Sequence, residues 1–148
     1  MPDDVIHIAH LFSFVREAQS LGQNRGLRVE AIQHWAGGAP GDSWCAEFAT
    51  MVLDIAYAGN APIPRVASCE WIREWARQHG RLSTAPQLGD LFLYVNSKTD
   101  RAHHIGFVTA LGPPILGLAG NTSPDGLSDN GDGVYEHEVH PQEFVHYL

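Results

Sequence analysis

Between residues 4 and 20, "DVIHIAHLFSFVREAQS" places Val5, Ile8, Leu11, Phe12, Val15 and Ala18 at helical spacing. That period puts them on one core-facing stripe, with Asp3 or Asp4 as the starting cap. "LRVEAIQHWA" repeats the pattern more briefly and stops at Gly37, Gly38 and Pro40. From Ser43 to about Ala58, the residues Cys45, Phe48, Ala49, Val52 and Ala56 recur at three and four positions, predicting a third helix capped by Asp42 or Ser43. After the loop holding Pro62 and Pro64, Ser68 is placed to cap a fourth helix, "CEWIREWARQH", which Gly80 ends.

Beyond Gly80 the period changes. "DLFLYV", "HHIGFVTAL", "ILGLA", "GVYEHEVH" and "FVHYL" are short β-branched and aromatic runs bounded by glycine, proline and asparagine, the signature of an antiparallel sheet. Helices first and strands after predict an α+β fold, with N-terminal helices packed on a C-terminal antiparallel sheet. A chain of 148 residues with 44% hydrophobic content suits one core, hence one domain over residues 1 to 148. The longest irregular stretch, "NTSPDGLSDNGDG" from 121 to 133, is of a length that is often functional or mobile.

Charge and cysteine content narrow the function. A formal charge of -8, from 9 Lys plus Arg against 17 Asp plus Glu, offers no basic surface to phosphates and argues against nucleic acid as a partner. No apolar run approaches the roughly 18 residues of a membrane span, and the start "MPDDVIH" is acidic where a secretory signal is basic. The expectation is a chain made in the cytoplasm without an export signal of its own. Two cysteines make no disulfide framework and neither sits in a CxxC pair; one Cys45–Cys69 bridge is an open alternative without support in the sequence.

Cys45 falls in the first turn of the third helix, where amide dipoles favour the thiolate, the nucleophilic form of cysteine. The competing reading is a packed small hydrophobe. "AHHIGFV" supplies a histidine at the start of a strand, and alternation lets only one of the two point at Cys45. Gly106 shares the face of His104 and removes a side chain where a helix end might approach, which favours His104 over a solvent-facing His103. "LAGNTS" supplies Asn121, whose amide oxygen can hold an imidazole as in Cys-His-Asn proteases.

In this order, "SWCAEFA", "QLGDLFLY", "HHIGFV" and "GNTS" resemble the CHAP family, the cysteine- and histidine-dependent amidohydrolases and peptidases. The likeness spans roughly residues 30 to 148. The family's tryptophan-cysteine pair falls on Trp44-Cys45, its Gly-Asp pair on Gly89-Asp90, its strand histidine on His104, and its acid-Gly-Asn segment on Ala119-Gly120-Asn121. The resemblance implies a papain-like core, a Cys45 nucleophile, His104 as general base and acid, and hydrolysis of an amide in peptidoglycan or another peptide. Many relatives carry glutamate where this chain has Ala119, which leaves Asn121 as the third member. Trp44 and Ser43 are candidates for substrate contact, and Ser43 is a weak candidate for the second oxyanion donor. Without appended wall-binding repeats or a signal, such an enzyme would act on the wall or in the periplasm after release, as a phage lysin or as a secreted antibacterial effector. An effector implies an immunity partner in the producing cell.

His137, His140 and His146 do not match a zinc pattern, and the first two read as a solvated strand edge. Asp125, Asp129 and Asp132 lack EF-hand spacing, so the expectation is no metal cofactor, with an irregular Ca²⁺ site in that loop as the alternative. Glu47 reads as a solvated or capping acid, Cys69 as a packed residue at a helix start, and Trp71 and Trp75 as core or groove. The non-enzyme alternative is a silent wall-binding or interaction module. A further alternative is an amidase or protease acting on a non-wall substrate.

Overall fold

The computed structural model describes residues 2–140 and 143–147. Within them, α1 (Pro2–Leu11), α2 (Leu27–Trp35), α3 (Cys45–Ala56) and α4 (Cys69–Gln78) precede β1 (Leu82–Ser83), β2 (Leu91–Asn96), β3 (Arg101–Ala110), β4 (Leu116–Thr122), β5 (Gly133–Glu138) and β6 (Glu143–Val145). The strands form one antiparallel sheet in the order β1-β6-β2-β3-β4-β5. The architecture is therefore α+β, helices first and sheet after, with every run expected as a strand in place and the two-residue β1 added. No helix among the described residues is long and apolar enough to cross a membrane.

Alternation along β2 explains the two cores. Leu91 and Leu93 join Ile105, Phe107 and Leu118 in the larger cluster with Phe48, Val52 and Leu53 of α3 and Ile72 of α4. Phe92, between them, belongs with Val108, Ala119, Val139 and Phe144 to a second cluster. Successive strand residues point to opposite faces, so both sides of the sheet are buried at its centre. Gly120 lets α3 lie directly on β4: an added Cβ there would meet the Trp44 ring at 2.8 Å and Phe48 at 3.0 Å.

Two anchors fix the helix that carries Cys69. Ser68 caps α4 by accepting from Trp71 N at 3.1 Å, as its sequence position predicts. Buried Arg73 then reaches from α4 to β6, donating to both carboxylate oxygens of Glu143 at 3.0 and 2.8 Å and to the Asp100 carbonyl at 2.7 Å. Such a bidentate pair gives direction as well as attraction.

The first helix ends at Leu11, far short of the residue 20 that its apolar spacing predicts. Backbone after it is drawn to the sheet edge instead: Val134 N donates to Val15 O at 3.1 Å and Glu17 N to Asp132 O at 2.7 Å, with Arg16 bridged to Gly133. Tertiary pairing here outweighs local helical preference. Gly133 has room for Arg16 because it lacks a side chain; an added Cβ would lie 2.6 Å from Arg16 Cδ.

Candidate active site

Cys45 is the first residue of α3, and no side chain caps that helix. Both predicted caps are engaged elsewhere: Asp42 Oδ2 accepts from Ala39 N at 2.8 Å, and Ser43 Oγ accepts from Asn121 Nδ2 at 3.0 Å. The first amides of a helix have no intrahelical acceptor, so the positive end of the α3 dipole is left to the thiol.

Cys69 is the first residue of α4, and its Sγ lies 3.5 Å from Cys45 Sγ, both thiols being free and buried. Two helix starts thus converge on one pair of sulfurs. The hydrogen bond with Cys69 is the largest cause holding the Cys45 thiol well below its ordinary range. Burial opposes the lowering, while His104, by closeness and charge, and the Ser43 hydroxyl add to it. Cys69 moves the other way, well above its ordinary range, because it keeps its proton for its neighbour and is itself buried. Cys69 is therefore a member of the site and more than the packed helix-start residue its position suggests.

His104 is buried on β3 opposite Tyr94, with ring centroids of Tyr94 at 5.6 Å and Phe92 at 6.1 Å. Neither of its ring nitrogens makes a hydrogen bond. The ladder pairs Tyr94 with His104 and Val95 with Ala102, so His103 is the extra residue of a bulge. His103 is exposed, as alternation predicts, and bonds Asp129 Oδ2 at 2.8 Å. Contrary to expectation, no helix end enters the space at Gly106; Phe92 and Ala119 fill it, with atoms 2.6 and 2.7 Å from an added Cβ.

Asn121 also departs from its expected role. Its amide nitrogen donates to Ser43, its buried Oδ1 has no partner, and it makes no hydrogen bond to His104. The cause is local backbone: β4 breaks register between Ala119 and Thr122, and Asn121 sits at φ 56°, a left-handed conformation that asparagine tolerates better than most residues. Asn121 thus holds the residue two positions before Cys45 and does not orient the imidazole. Glu136 is exposed and pairs with His10 at 2.9 Å, so it does not orient the imidazole either. Ala119 is buried in the second cluster. Trp44 is wholly buried, donates from Nε1 to Glu17 at 2.9 Å and packs edge-on to Phe48, so it has no surface for a substrate. If Cys45 acts as a nucleophile, Asn121→Ala and Ser43→Ala should each lower turnover by roughly tenfold, about one hydrogen bond's worth, and the double variant should lose little more than either. Steady-state rates of the three variants check this; fully multiplicative losses would show that the two residues act separately.

Two buried titratable groups were read as solvated from the sequence. Glu47, two residues after Cys45, is wholly buried, and neither carboxylate oxygen has a hydrogen bond. Burial first, then the charges of Asp42 and Cys45, push its carboxyl up to about 7. His137 is buried rather than at a solvated edge; Nδ1 bonds Glu138 O at 3.0 Å, Nε2 is unpartnered, and burial, with His104 nearby, lowers its basicity. His140 is exposed, as expected. Beside His104, Tyr94, His103, Gly126, Leu127 and His140 line a cleft of about 210 Å³.

Of the remaining candidates, Asp129 reaches this centre by its charge on Cys69. Trp71 is partly exposed, and Trp75 stacks on His79 at 4.5 Å. Asp125, Asp129 and Asp132 bind Ser123, His103 and Tyr135 respectively. Among the described residues, no group of three or more His, Cys, Asp or Glu is placed to hold a metal ion. Compared with known proteins, the chain matches no family model, no curated protein and no solved structure.

Proposed function

We propose that the protein is a cysteine-dependent amide hydrolase of the CHAP type with a papain-like arrangement, acting on peptidoglycan as an amidase or endopeptidase. The observation that carries the reading is Cys45 itself: a thiol at an uncapped helix start, held well below its ordinary range by Cys69 first and then by the nearby His104 imidazole. A thiol that only packs has no need of these.

In this mechanism the Cys45 thiolate attacks the amide carbonyl, and its proton resides on His104. The developing oxyanion is held by free N–H groups at the start of α3, placed where negative charge forms. Imidazolium of His104 protonates the leaving amine. Neutral His104 then activates water against the thioester and regenerates the thiol. The cleft lined by Tyr94, His103 and His140 is the approach for substrate, in place of Trp44. Action on the wall or in the periplasm, as a phage lysin or a secreted effector guarded by an immunity protein, remains part of the same proposal.

Two measurements test it. Mass analysis of fragments from purified wall incubated with the protein should reveal new peptide termini or free sugar lactyl groups, which also identify the bond cut. Iodoacetamide should alkylate Cys45 rapidly at neutral pH, because the depressed thiol is already thiolate there, and the rate should fall only as the pH drops through its lowered range. No fragments from any wall type together with a slow, ordinary thiol would favour the silent binding module.

A further inference from the structure

Cys69 is not required by the mechanism above, yet its thiol is in direct contact with the nucleophile. The two sulfurs are at van der Waals separation, 3.5 Å, and a disulfide of about 2.05 Å is reached by closing roughly 1.5 Å. Each sulfur hangs from the first residue of a helix, with only its own χ1 to turn. We propose that Cys45 and Cys69 form a reversible disulfide under hydroperoxide, with Cys69 as the resolving thiol, so that oxidation stores the site in a closed state.

The chemistry balances without further reagents. Cys45 thiolate attacks the terminal oxygen of the hydroperoxide; the O–O bond breaks, the alcohol leaves with a proton, and Cys45 becomes a sulfenic acid. Cys69 sulfur then attacks Cys45 sulfur. The S–S bond forms, the S–O bond breaks, and the hydroxyl departs as water with the proton that Cys69 gives up. Two electrons pass from the thiols to the peroxide. The first step needs a thiolate, which Cys45 supplies, and in the second Cys69 loses its proton to the departing hydroxyl as its sulfur, 3.5 Å away, attacks.

Cys45 is 3% and Cys69 8% exposed, and a hydroperoxide of near-water size is small enough to meet both sulfurs without rearrangement of the helices. On reduction, attack on the less covered Cys69 sulfur releases Cys45 as the better leaving group. The resolving thiol also intercepts the sulfenic acid before a second oxidation makes it irreversible.

The inference rests on the hydrolase reading only for its effect on activity; the sulfur chemistry is measured independently. The full chain is treated with hydrogen peroxide near stoichiometry, then analysed by intact mass and by peptide mapping without reduction. The expected result is loss of two hydrogen masses and a linked peptide pair holding Cys45 and Cys69, both reversed by dithiothreitol. Cys69→Ser should instead give a dimedone-trappable sulfenic acid at Cys45 that proceeds to sulfinic acid; Cys69→Ala serves if the serine variant fails to fold by circular dichroism. Sulfinic acid at Cys45 in the wild type, at the rate seen in the variants and with no linked pair, would overturn the proposal. A linked pair in a protein that releases nothing from any wall when reduced would leave the disulfide standing and remove the hydrolase. Wall digestion without a linked pair would do the reverse.

Discussion

Cys45→Ala is expected to lower amide cleavage by roughly four to six orders of magnitude while leaving a folded protein, and His104→Ala to lower it almost as far. In the proposed mechanism the first variant deletes the attacking atom, and the second removes the group that takes and returns the proton. Because they act as a unit, the double variant should be little worse than either single one. The residual rate belongs to the free amides at the start of α3, which still stabilise an oxyanion without a covalent route. Stability should change far less than activity. Removing one buried sulfur beside Cys69 leaves a small void, costing on the order of 1 kcal/mol. The check is release of new termini from purified wall by wild type and variants at equal concentration, with circular dichroism on each. Undiminished cleavage by Cys45→Ala would return the cysteine to a packing role.

How far the sequence led depends on whether each feature is local. Strand runs and helix starts were legible because period and punctuation are written into short windows, as at Ser68 and Gly80. Cys45 at the start of α3 and the preference for His104 over His103 were legible for the same reason. The end of α1 was not, because its competitor is Gly133, more than a hundred residues away. Nor was the meeting of Cys45 with Cys69, which depends on how α3 and α4 are seated on the sheet through Arg73 and Gly120. Asn121 was placed near the site but given the wrong partner, since a break in strand register and a positive φ turn it toward Ser43. Glu47 had a signal that went unused. α3 is apolar on every side, with each residue from Cys45 to Leu53 buried. A helix hydrophobic all round is enclosed, so a carboxylate within it is enclosed as well.

Glu47→Gln is therefore expected to stabilise the protein at pH 8 by about 3 kcal/mol, with the gain vanishing as the pH falls to about 4.5. The sign follows from proton binding. Below about pH 4.5 the carboxyl is protonated in folded and unfolded chains alike and contributes no pH dependence. Between there and about 7 the unfolded chain ionises while burial keeps the proton on folded Glu47, so stability falls as pH rises. Above about 7 the folded state carries an ionised, unpartnered carboxylate beside Asp42, and the full cost is present. Glutamine has the same shape and no charge, and its amide brings a donor to the place where Gly38 lies close to both Asp42 Oδ2 and Glu47 Oε2. Urea unfolding of wild type and variant across pH 4.5 to 8 measures the difference directly. The Cys45 thiolate is one of the charges that hold the proton on Glu47. Because Cys45 is already ionised where Glu47 loses its proton, Glu47→Gln should leave the acid limb of the iodoacetamide profile in place. Equal stability of the two proteins at pH 8 would show that Glu47 reaches solvent or a cation when ionised and is not the buried acid described here.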